Sequence, residues 1–138
     1  MKLERQLCPL EHARRLKELG VAQQSLCYYS DKGIEINIHP DFRMQGSEQA
    51  GISIKENPDS RSCAAFSVAE LGTALPPALE GITLTMEKGE EMDYVSYPGI
   101  KTTFGNTEAQ ARANMLIWLI ENKYTTVREV NERLMENG

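Results

Sequence analysis

The chain has 138 residues and a mass of 15.5 kDa, one domain's worth, so a second independent core is excluded. Apolar residues make up 41% and charged residues 25%, which fits a folded globular domain and not a disordered or disulfide-scaffold chain. Fifteen Lys and Arg against twenty Asp and Glu leave a net charge of −5, the wrong sign for a general binder of phosphate backbones. Nucleic acid is therefore not expected as a partner.

The charge is unevenly spread. Residues 1–20 carry five positive and three negative groups, residues 21–79 four and seven, and residues 80–138 six and ten, which confines any basic surface to the N-terminal end. The start at Met1 lacks an apolar run of signal-peptide length, and the longest continuous apolar stretch, Met115 to Ile120, cannot span a bilayer. A cytoplasmic protein with no membrane partner is predicted. Cys8, Cys27 and Cys63 are odd in number and widely spaced, as reduced thiols are, and they form no disulfide framework.

Pro9 suits the start of a helix, Leu10, Ala13, Leu16 and Leu19 share one face, and Gly20 supplies a left-handed cap, so a helix is predicted over about 9–19. Between Ser25 and Ile38 the period changes to two, with Ile34, Ile36 and Ile38 on one face. The run Ser30, Asp31, Lys32, Gly33 turns one strand into the next. A third strand is read at Ile52 to Lys55. The stretch from Pro40 to Ser62 otherwise shows little pattern and supplies loop candidates.

Ser67 followed by Glu70 is a capping box that opens a short helix, which Pro76 and Pro77 must stop. Alternation then returns at Ile82, Leu84 and Met86, at Met92 and Tyr94, and at Ile100, Thr102 and Phe104. Lys88 and Gly89 mark one turn and Pro98 and Gly99 the next, giving a three-stranded meander. Thr107 with Gln110 opens a helix to Asn122 that is apolar on nearly all sides, the expected core helix with Trp118 inside it. Thr126 with Glu129 opens a peripheral last helix, with a stripe of Val127, Val130 and Leu134 and a Glu129 to Arg133 pair. The expected fold is a single two-layer α+β domain over residues 1–138, short antiparallel strands packed on one face by helices.

The run Asn106-Thr-Glu-Ala-Gln-Ala-Arg-Ala-Asn-Met-Leu-Ile-Trp-Leu-Ile-Glu-Asn122 resembles the C-terminal signature of small proteins carried by phages, prophages and mobile elements. Ala13 to Gly20 and Ser67 to Gly72 with Leu75 and Pro76 fit the same pattern. These stretches build helices and core, so the resemblance implies a genomic setting more than a chemistry. It points by analogy to an accessory protein that binds host components, including defence proteins or their nucleotide signals.

Cys8 and His12, four apart, approximate a metal-ligand pair, but no second knuckle completes it, so no metal and no cofactor are expected. Neither Cys27 nor Cys63 has a local base partner, and Glu90, Glu91 and Asp93 fall at a turn where charges face water. No catalytic residue is assigned. Arg43 and Arg61 lie in the irregular segment, Arg61 just ahead of the helix at Ser67, and could pair an anion. Tyr94 and Tyr97 supply phenols that could stack on a planar ring, and Tyr28 and Tyr29 do the same in the first half. Arg43, Arg61, Tyr94 and Tyr97 are therefore the candidate ligand-binding residues. The expectation is a non-catalytic binding protein for a protein partner or a small anionic, nucleotide-like ligand, with an enzyme of unrecognised class as the remaining alternative. Self-association into a homo-oligomer stays open.

Overall fold

The computed structural model describes residues 3–23, 25, 27–30, 33–36 and 63–137. The strand expected at Ile52 to Lys55, Arg43, Arg61 and the whole irregular segment lie outside the described residues.

After a 3-10 turn at Leu3–Gln6, helix α1 runs over Leu10–Leu19. Pro9 sits one position ahead of the helix, as its N-cap with an extended backbone. Gly20, at φ 102°, turns its N–H back to the Leu16 and Lys17 carbonyls. Strands β1 (Cys27–Ser30), β2 (Gly33–Ile36) and β3 (Cys63–Ala64) form an antiparallel sheet in the order β2-β1-β3. Tyr29 lies opposite both Ile34 and Cys63 in it, and its hydroxyl donates to the Cys8 carbonyl at 2.7 Å. That tyrosine ties the first sheet to the start of α1.

Helix α2 (Val68–Ala74) opens on the expected box: the Glu70 N–H donates to Ser67 Oγ at 3.2 Å and the Ser67 N–H to Glu70 Oε1 at 2.9 Å. It ends before Pro76 and Pro77, as a residue without an N–H requires. A small hairpin follows, β4 (Ala78–Leu79) and β5 (Ile82–Thr83), which alternation did not reveal. Its two turn residues, Glu80 and Gly81, both have positive φ, 48° and 84°, the geometry that matches the twist of a tight hairpin.

The expected meander is β6 (Thr85–Lys88), β7 (Asp93–Tyr97) and β8 (Lys101–Gly105), antiparallel in the order β6-β7-β8. Pro98 and Gly99 fill the centre of the β7–β8 turn. Gly99 has φ 87°, and the Ile100 N–H donates to the Tyr97 carbonyl at 2.8 Å, a type II pattern. The phase of β8 differs from the sequence reading. Thr103 and Gly105 face inward while Thr102 and Phe104 face out, because helix α3 lies so close to this strand that only small residues fit beneath it.

Helix α3 (Glu108–Glu121) is the central core helix. Ala109, Ala111, Ala113, Met115, Leu116 and Leu119 are buried, and it packs on β7, β8, α1 and α2. Thr107 Oγ1 accepts from the Gln110 N–H, but the Gln110 side chain reaches the Asn106 N–H instead of closing the box on Thr107. Trp118 is not in the core as expected. It lies at the rim, half-buried, stacked on Tyr124 at 5.1 Å with the Lys101 ammonium 5.3 Å from its ring centre. Helix α4 (Val127–Asn137) opens on a complete box between Thr126 and Glu129. Fully buried Val130 anchors it to α2, so it closes the core where a peripheral helix was expected. Arg133 donates to the Ala74 carbonyl at 2.8 Å, capping the end of α2. The result is an α+β domain in which helices cover the inner face of the meander.

Candidate functional site

Within the meander the register sets two rows of outward side chains. Glu87, Tyr94 and Phe104 form one row, and Thr85, Ser96 and Thr102 the next. Among the described residues, helices cover only the opposite face, where Val95, Tyr97, Thr103 and Gly105 are buried. Among the described residues, nothing apolar covers the outward rings: Phe104 is 53% and Tyr94 37% exposed, on a face where burial would be the default for large aromatics. Their ring centres are 6.2 Å apart at an interplanar angle of 54°.

The Tyr94 ring is fixed from a second side. A Cβ at Gly89 would lie 3.2 Å from Tyr94 Cε2 and 2.6 Å from the Met92 carbonyl oxygen, so only glycine lets the β6–β7 turn close beneath the ring. Beside it the hydroxyls connect: Thr85 Oγ1 donates to the Ser96 carbonyl at 3.2 Å, and Ser96 Oγ and Thr102 Oγ1 lie 2.8 Å apart. Together with Glu87, Lys88, Gly89 and Pro98 these side chains line a shallow depression of about 390 Å³. Lys88 leans away toward Glu108, at 3.6 Å, and Glu108 is itself paired with Arg112 at 2.8 Å.

The four residues expected to bind a ligand do not assemble. Tyr94 is on the open face, but Tyr97 is fully buried and its hydroxyl donates to the Pro76 carbonyl at 2.5 Å. This corrects its assignment to a ligand site: residues three apart on a strand point to opposite faces, so Tyr94 and Tyr97 cannot flank one ligand. Arg43 and Arg61 lie outside the described residues. Phe104, Glu87 and the three hydroxyl residues were missed as a group, and the signal that would have found them is the odd spacing from Tyr94 to Tyr97, which fixes the parity of the whole sheet.

The other chemical candidates resolve into packing. His12 Nε2 donates to Asn114 Oδ1 at 2.7 Å, since the Asn114 amide nitrogen is already donating to the Phe104 carbonyl at 2.9 Å. The chain from His12 through Asn114 fastens α1 and α3 to the edge of β8. Among the described residues no group of three or more His, Cys, Asp or Glu is placed to hold a metal ion. Glu90, Glu91 and Asp93 border a polar cleft of about 230 Å³ at the start of α3, shared with Arg5 and Lys88. No helix among the described residues is long and apolar enough to cross a membrane.

All three thiols are buried and free. Burial pushes the Cys8 thiol up to about 12 and raises Cys27 and Cys63, so none is a ready thiolate. Burial likewise pushes the Tyr97 phenol up to about 12. In each case the unfolded chain ionises first, at 9.0 for a thiol and 10.0 for a phenol, and so binds fewer protons than the native state. The stability from these neutral buried groups is full below pH 9.0 and is lost as pH rises toward about 12. Urea unfolding should therefore show a midpoint that is flat around neutrality and falls steeply above pH 9.0. A midpoint unchanged deep into the alkaline range would mean that the thiols and Tyr97 ionise freely in the folded protein.

Comparison with protein-family models, with curated proteins and with solved structures finds no match to this chain.

Proposed function

We propose that this chain is a small accessory binding protein of the kind that phages and mobile elements carry, working in the cytoplasm without catalysing a reaction. In this reading it holds a host component on the open face of the β6-β7-β8 sheet. The observation that carries it is the exposed pair Tyr94 and Phe104, two large aromatics aligned by register on the face that α3 leaves uncovered. Aromatic side chains give contact area at low entropic cost, and they are enriched at the centres of recognition surfaces. The buried, ionisation-resistant thiols support a binding role, because they supply no nucleophile. The sequence resemblance around Asn106 to Asn122 supports the genomic setting.

The test is capture from a bacterial extract that retains soluble proteins, polysaccharide and cell-envelope fragments, using wild type, Tyr94→Ala with Phe104→Ser, and Met135→Ser. Met135, 62% exposed on α4, serves as the remote control. Material retained by wild type and Met135→Ser but lost from the double variant is the expected result. Retention that does not depend on Tyr94 and Phe104 would remove the sheet face from the function.

A further inference from the structure

The binding face has a chemistry of its own, and it narrows the class of ligand. Thr85 Oγ1 has committed its hydrogen to the Ser96 carbonyl, so it faces outward as an acceptor. Of Ser96 Oγ and Thr102 Oγ1, one donates to the other, which leaves one O–H hydrogen and spare lone pairs between them. Glu87 adds a carboxylate in the row of Tyr94. Among the described residues the depression thus offers several acceptors, two hydroxyl donors (the Tyr94 phenol and one of Ser96 and Thr102), and one ammonium, Lys88, that leans to Glu108.

An anionic ligand needs the opposite balance. Phosphate and carboxylate groups are acceptors only, and here they would meet the Glu87 charge and the hydroxyl lone pairs, with Lys88 drawn toward Glu108 and two neutral hydroxyls as the remaining donors. A ligand that brings its own O–H donors, and an uncharged face for a ring to cover, fits instead. A pyranose has both: hydroxyls around its rim, and a flat face of C–H bonds whose slight positive charge suits the negative face of an aromatic ring. Tyr94 is held for that contact, with Gly89 closing beneath the ring, Phe104 tilted at its side and the hydroxyl row one residue pair along the strands.

We propose that the depression between Tyr94, Glu87 and the Thr85–Ser96–Thr102 hydroxyls binds a sugar ring of a neutral saccharide. The ring stacks on Tyr94, and its hydroxyls donate to Glu87 and Thr85. This assignment rests on the reading of the sheet face as a binding surface and adds the chemistry of what it holds.

The experiment is a backbone amide chemical-shift titration of the full chain with maltotetraose, cellotetraose, chitotetraose and mannotetraose, each to about 10 mM, the range in which weak single-site binding saturates. Adenosine monophosphate is the anionic comparison. At least one saccharide should shift Tyr94, Ser96, Thr102 and Phe104 together. Tyr94→Ala should weaken that binding about three- to tenfold, the range that one aromatic contact is worth. Glu87→Gln should weaken it less, and Met135→Ser should leave it unchanged. Because Tyr94 is an exposed side chain, unaltered shifts elsewhere in Tyr94→Ala verify that the fold persists. Silence at these four residues with all four saccharides overturns the assignment, as does an equal response from Tyr94→Ala or a response to adenosine monophosphate alone. If saccharides fail while capture from extract still depends on Tyr94 and Phe104, the ligand class falls and the binding face stands. Loss of both dependences removes the two together.

Discussion

Tyr97→Ala is expected to destabilise the domain by about 3–5 kcal/mol, the cost of emptying a buried aromatic site. Tyr94→Ala, three residues earlier on the same strand, should cost less than about 1 kcal/mol, because an exposed side chain leaves no cavity. The difference follows from parity alone. Tyr97 points into the layer between β7 and α3, where it is fully buried, and its hydroxyl donates to the buried Pro76 carbonyl just beyond the end of α2. That carbonyl follows a helix stopped by Pro76 and Pro77, so its partner must come from outside the helix. Tyr97→Phe isolates the polar part: the ring stays, the acceptor is orphaned, and the expected cost is about 1–3 kcal/mol. Urea unfolding of the three variants, read as a change in midpoint at constant slope, measures all of this. Similar losses for Tyr97→Ala and Tyr94→Ala would mean that the two rings share one environment and that the sheet has no open face.

What the sequence made legible was local chemistry. The Ser67 and Thr126 boxes, the Gly20 cap and the Pro98–Gly99 turn each need only a few neighbouring residues, and each forms as expected. Where another partner competed, the local rule bent: Gln110 takes the Asn106 N–H. Arg133 adds a bond across to the Ala74 carbonyl while its charge still acts on Glu129. Hairpin β4–β5 has two residues in each strand, too few for alternation to show. Trp118 illustrates a different limit. A helix apolar on all sides does not reveal which side the sheet will choose, and α3 turns Met115, Leu116 and Leu119 inward while Trp118 is left at the rim under Tyr124. The candidate site was half legible for the same reason. Tyr94 could be singled out as a residue type, but Phe104 reads as core on hydrophobicity, and only the size limit beneath α3 explains why it faces out.

That size limit sits at Gly105, and Gly105→Ala is expected to cost about 1–3 kcal/mol, the usual range for an overpacked core. The residue ends β8 on the inner face and is buried, and a Cβ built there would lie 2.7 Å from Gln110 Cβ and 2.8 Å from the Ala111 backbone nitrogen. Neither neighbour is the loose end of a side chain, so α3 or β8 must move as a unit. The movement would pull on the 2.9 Å bond from Thr103 Oγ1 to the Ala111 carbonyl, which fastens the same strand to the same turn of the helix. Gly99→Ala makes the instructive comparison. There φ is 87° and nothing lies within 4 Å, so the cost is backbone strain in an exposed turn and stays local. Gly105→Ala should therefore lower the unfolding midpoint and shift amide signals along Glu108 to Arg112 and at Phe104, whereas Gly99→Ala should shift only its own turn. Full stability in Gly105→Ala would show that α3 seats less tightly on β8, which would leave the outward turn of Phe104 without its physical cause.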